Sequence, residues 1–84
     1  MAIEKNLKSI HGMMDEMLND TMIPKNIRRA IAEAKLRIEG VDDPSVKISA
    51  SIYLIESVSA DINMPPHART QIWALMGALE SVKK

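Results

Sequence analysis

Chemistry at a protein site needs a nucleophile, a set of metal ligands, a matched acid and base, or a cradle for charge, and this chain is sparing in all four. It has no Cys, which excludes a thiolate nucleophile, a disulfide framework and a cysteine-type zinc site. Of its two His, His11 stands four residues before Asp15, so one helix face could offer a metal at most those two ligands. The better reading of His11 is a residue at the edge of a core. His67 follows two prolines and reads as a solvated residue at a helix start. Ser45, Ser49, Ser51, Ser57 and Ser59 crowd one segment without a paired His, a pattern that suits close helix packing better than acyl transfer. The carboxylate pairs Asp15-Glu16 and Asp42-Asp43, and the isolated Glu33 and Glu56, have no apolar setting that would raise a pKa towards neutrality. Gly12, Gly40 and Gly77 are too scattered to form a phosphate loop. The expectation is a protein that is not an enzyme and holds no cofactor or metal.

What remains is charge and one large ring, and both depend on the elements that carry them. Apolar residues recur at steps of four and three: Ile3, Leu7, Ile10, Met14 and Met17; then Ile27, Ile31, Ala34, Ile38 and Val41. Ile48, Ile52, Ile55, Val58 and Ile62 make a third series, and Ala68, Ile72, Leu75, Leu79 and Val82 a fourth. That spacing is the seam of helices packed at about 20°. Pro24, Pro44 and the Pro65-Pro66 pair suit helix first turns, Asp43 suits an N-cap, and Gly40 suits the residue that closes a helix. Helices are predicted near 3–20, 24–39, 44–61 and 65–82. Links this short make sequential helices antiparallel neighbours.

Displacing the chain over itself by 41 residues aligns Asp20 with Asp61, Pro24 with Pro65, Arg28 with Arg69, Ile31 with Ile72, Glu39 with Glu80 and Val41 with Val82. The seams of helices two and four superpose throughout. We therefore expect one domain over 1–84, an all-α, four-helix up-and-down bundle made from a duplicated helical hairpin, with repeats of about 1–41 and 42–84. Two repeats are fewer than a solenoid needs for a continuous core, so closure into a bundle is favoured.

In such a bundle, helices two and four start at the same end and bring Lys25, Arg28, Arg29, His67 and Arg69 together. Cations in a first helical turn oppose the macrodipole and call for negative charge. The favoured answer is an internal clasp, Asp20 and Asp61 with Arg28 and Arg69, because these residues recur at one spacing in both halves. The alternative is a bound phosphate or other anion. Lys25, Arg28, Arg29, Arg37 and Arg69 are the candidate residues for that anion or for nucleic acid. No aromatic interleaves with the basic residues of helix two, Lys35 among them, so nucleic-acid binding would rest on phosphate contacts and weaken steeply with salt. The helices alternate in net charge, which pairs each with oppositely charged neighbours.

Trp73 is the only Trp, and it sits just off the fourth seam with Met76 and Gly77 beside it. Its size favours a place filling the bundle; the alternative is an anchor for a helical partner or a second copy, with Met76 and Gly77 completing the interface.

The segment DTMIPKNIRRAI at 20–31, the link Gly40-Val41-Asp42-Asp43-Pro44 and the run Asn63-Met64-Pro65-Pro66-His67-Ala68-Arg69 resemble the short archaeal proteins of uncharacterised protein family 0147, from end to end. The resemblance implies a four-helix bundle in the cytoplasm and supplies no catalytic residue.

Bulk properties set the outer limits. The formal net charge is zero, which removes general attraction to nucleic acid or membrane. At 9.3 kDa the chain buries roughly 63% of its extended surface, a thin margin that makes a homo-oligomer plausible. The longest apolar run, Ile72 to Leu79, is far short of the roughly 20 residues that span a bilayer, and the start lacks a signal-peptide pattern. The expected setting is the cytoplasm. The expected role is a small structural or protein-interaction module that self-associates, with nucleic-acid or phosphate binding as the alternative.

Overall fold

A computed structural model describes residues 2–83, with side chains over 7–82. Four helices follow one another: α1 (Ala2–Leu18), α2 (Lys25–Glu39), α3 (Pro44–Ser59) and α4 (Pro66–Lys83). Each packs against two others, in the closed order α1, α2, α3, α4 and back to α1, and neither diagonal pair meets among the described residues. This is the all-α four-helix bundle expected from the seams, drawn out to 35 × 19 × 18 Å.

The seams form the core. Ile10, Met14 and Met17 of α1, Ile27, Ile31, Ala34 and Ile38 of α2, Ile48, Ile52 and Ile55 of α3, and Ala68, Ile72, Leu75, Leu79 and Val82 of α4 are all buried. Leu7 and Val58 pack on the core from partly buried positions. Ile3 lies outside the residues whose side chains are described. Each large aliphatic side chain withdrawn from water stabilises the fold by about 1.5–3 kcal/mol before entropy is counted. Between α2 and α3 a polar group completes the packing: Ser51 is fully buried and its hydroxyl donates to the Ala34 carbonyl at 3.0 Å.

Two seam residues fall outside the core. Val41 and Ile62 are exposed, because α2 ends at Glu39 and α3 at Ser59 and the heptad spacing runs on past both ends. Pro24 and Pro65 stand one position before their helices, where their carbonyls accept from the amides of Arg28 and Arg69, each at 3.0 Å. Pro44 occupies the first helical turn, and Asp43 caps α3 by accepting from the Ser45 amide at 2.9 Å. Gly40 does close α2, but with extended backbone. A Cβ there would meet the Arg37 carbonyl at 3.2 Å, so close approach favours the glycine.

Candidate functional site

The end of the bundle that carries the helix-start cations is built from two turns, at 19–24 and 60–65. Both make the same bonds at positions 41 apart. Asp20 Oδ1 accepts from the Met22 amide at 2.9 Å, and Asp61 Oδ1 accepts from the Asn63 amide at 2.8 Å. The amides of Ile23 and Met64 donate to the carbonyls of Asp20 and Asp61, both at 3.2 Å, and the side chains of Ile23 and Met64 turn into the core.

The second carboxylate oxygen of each Asp crosses to a neighbouring helix. Asp20 Oδ2 lies 2.7 Å from His67 Nε2 at the start of α4, and Asp61 Oδ2 accepts from Asn26 Nδ2 at 2.8 Å at the start of α2. Asn26 and His67 are themselves 41 residues apart. Each N-terminus thus receives a carboxylate from the helix beside it, the charge its macrodipole favours. The Met22 amide and then His67 hold the Asp20 carboxyl below its ordinary pKa, and the Asn63 amide and then Asn26 do the same for Asp61.

The clasp therefore exists, but with partners other than those expected. No ion pair joins Asp20 or Asp61 to Arg28 or Arg69 among the described residues. Arg28 instead donates from Nε to the Ile23 carbonyl at 3.0 Å, and its charge adds to the lowering of the Asp20 pKa. The donors His67 and Asn26 escaped self-comparison of the sequence because they are not identical. Both are short polar side chains able to reach a carboxylate, which is the signal that was there to find.

The candidate cations do not form one patch. Lys25 and Arg29 share the outward face of α2, while Arg37 turns towards the α3 side. Arg69 lies on α4, the helix diagonal to α2 and out of contact with it. Two ionised carboxylates at the same end further disfavour a free anion. His11 is partly buried with Nδ1 3.7 Å from Glu39 Oε2, and Asp15 pairs with Lys35. Among the described residues no three His, Asp or Glu side chains gather as a metal would require. A cleft of about 140 Å³ between α1 and α4, lined by Ser9, Ile10, Ala78, Ser81 and Val82, is smaller than the roughly 300 Å³ of a small-molecule site.

The aromatic residues give the most distinctive surface. Trp73 is 63% exposed and Tyr53 73% exposed, so the bundle is filled without either. Trp73 follows Ile72 and Tyr53 follows Ile52, and a step of about 100° carries each away from the core. The expectation that Trp73 fills the bundle is thereby corrected. The Ser51 bond to Ala34 marks the α2 side of α3, and by helical phase Tyr53 leans the other way, towards the groove with α4. Trp73 leans towards the same groove from α4. Met76 is half-buried and packs on the core, whereas Gly77 is exposed, with nothing beyond its own helix backbone and chain neighbours within 4 Å of where a Cβ would stand. The tool set for contact is here: two large amphipathic rings, and the exposed guanidinium of Arg69 one turn before Trp73.

Residues 1–82 match the pattern of the family described as Uncharacterised protein family (UPF0147). The UPF0147 protein MJ1419 of Methanocaldococcus jannaschii is 44% identical over 82 residues, covering 95% of this chain and 87% of its own length. The UPF0147 protein TK2131 of Thermococcus kodakarensis is 42% identical over 75 residues, 88% of this chain and 90% of its own. Among solved structures, the unknown function protein MMP1188 superposes with a TM-score of 0.89 at 38% identity, over 94% of this chain and 91% of that one. A Thermoplasma acidophilum protein of the same family superposes with a TM-score of 0.92 over 98% and 99%; at 19% identity it speaks for the fold alone.

Proposed function

The chain belongs to uncharacterised protein family UPF0147, and from that premise we propose that it is a protein-interaction module that acts by contact and not by catalysis. The observation that carries this reading is the exposure of both aromatic residues, outside the buried core and, by helical phase, on the α3–α4 face. Trp, Tyr and Arg are the residues that most often dominate binding interfaces, and by helical phase Trp73, Tyr53 and Arg69 all lie exposed on that face. A bundle whose interior is closed by Ile, Leu, Met, Val and Ala has no folding need for an exposed indole.

The matched turns at 19–24 and 60–65 support reading the fold as a duplicated helical hairpin, one half keeping small and charged residues where the other gained Trp73. Among the described residues no helix is long and apolar enough to cross a membrane, and work in the cytoplasm fits that.

The test is a photo-crosslinking amino acid at position 73 of the full chain in living cells, with Lys8, on the far side of the bundle, as control. A covalent adduct of one discrete, identifiable protein from position 73 and not from position 8 supports the module. No adduct from position 73 overturns it.

A second reading keeps one observation in its favour: Lys25, Arg29 and Arg37 are exposed and make no ion pair among the described residues. They would serve phosphate contacts to RNA. Undiminished RNA affinity after changing all three to Glu would remove that reading.

A further inference from the structure

Along α4, Arg69, Trp73, Met76 and Glu80 follow one another at steps of four, three and four. At about 100° per residue they form a single stripe on the side of α4 that looks towards α3 and solvent. The spacing is the same read from either end, the middle is apolar, and the ends carry opposite charge. Laid against itself in the antiparallel sense, about an axis passing between Ala74 and Leu75, the stripe sets Arg69 against Glu80 of a second copy. Trp73 then meets Met76 of that copy, a pairing in which thioether and indole suit each other. The parallel arrangement would set Arg69 on Arg69 and Glu80 on Glu80.

The first half of the chain shows what this stripe does when it is used internally. The residues 41 positions earlier are Arg28, Ala32, Lys35 and Glu39. Arg28 donates to the Ile23 carbonyl, Lys35 pairs with Asp15, and Glu39 lies 3.7 Å from His11. In the second half, Ile52 stands where His11 stands, and its buried side chain offers Glu80 no charge. Met76 replaces Lys35 and Trp73 replaces Ala32, so the centre of the stripe has become apolar while its ends have kept Arg and Glu. Neither Arg69 nor Glu80 makes an ion pair among the described residues. Gly77 leaves open space beside the stripe, which lets a second helix approach closely.

We propose that a second copy of this chain docks on the stripe, forming a two-fold dimer through antiparallel α4 helices, with Arg69 against Glu80 and Trp73 against Met76 at two symmetric places. This rests on the α3–α4 face being the contact surface. One helix pair with Tyr53 at its rim belongs to the small end of interface sizes, so the dimer is reversible, with a Kd in the micromolar range or weaker.

Sedimentation velocity of the full-length chain over a wide concentration range tests this, with Arg69→Glu, Glu80→Arg and the double variant. Both substitutions are at exposed positions, and thermal unfolding checks that each variant folds. The wild-type chain shifts from monomer to dimer, each single reversal weakens association about tenfold or more by facing like charges, and the double variant restores it to within about threefold of wild type. A wild-type chain that stays monomeric up to millimolar concentration, or a dimer equally strong in all four proteins, overturns the proposal. The crosslinker at position 73 separates the two ideas: an adduct with a different identified protein from a monomeric chain leaves the contact surface standing and removes the second copy, and silence in both experiments removes both.

Discussion

Asp20 ties the end of α1 to the start of α4 through His67, with Oδ2 and Nε2 2.7 Å apart. The link from Asp61 to Asn26 repeats it between α3 and α2, at 2.8 Å. Together these links brace the four helices at one end by the polar groups that their own turns leave free.

If the two links are equivalent, Asp20→Ala and Asp61→Ala lower the thermal midpoint by similar amounts. His67→Ala adds little once Asp20 is gone, because the two residues act as one unit. Exchanging the donors, Asn26→His with His67→Asn, leaves the fold intact and the midpoint near wild type. Thermal unfolding followed by circular dichroism reads all of these.

The acid limb of stability follows from the same carboxylates. Asp20, Asp43 and Asp61 all have folded pKa values below their ordinary one, through bonds from Met22 and His67, from Ser45, and from Asn63 and Asn26. A depressed folded pKa contributes stability that is present above the unfolded value, about 3.9, and is lost as pH falls through the folded value. Urea unfolding should therefore give a level stability near neutral pH and a fall below about pH 4. Asp20→Asn with Asp61→Asn flattens that fall.

Core and surface on α4 should separate cleanly. Leu75 is fully buried, and Leu75→Ala costs about 2–5 kcal/mol by removing packed volume. Trp73, two residues before it, is largely exposed, and Trp73→Ala changes stability by no more than about 0.5 kcal/mol when measured at concentrations where the chain is monomeric. Urea unfolding monitored by circular dichroism compares them directly.

The fold was legible because the seams are dense: every residue of the fourth one lies buried, and Ile27, Ile31, Ala34 and Ile38 line the second. Periodicity alone overran at Val41 and Ile62, where Gly40, Asp42 and Asp61 already mark the helix ends. The clasp was half legible. Recurring Asp and Arg suggested a direct pair, yet each Arg is held elsewhere or left exposed, and the Asp side chains go to nearer donors. The usual burial of its residue type wrongly points Trp73 into the core, although its step of one beyond Ile72 turns it away.

Trp73 is the only Trp of the chain, so its fluorescence reports the surroundings of this ring without any substitution. Emission maximum and acrylamide quenching of the folded protein, followed from nanomolar to millimolar concentration, give the answer. An exposed Trp73 gives red-shifted, readily quenched emission in dilute solution, moving to shorter wavelength with protection as copies meet. Blue-shifted and protected emission at every dilution would place the indole in the core and contradict that exposure.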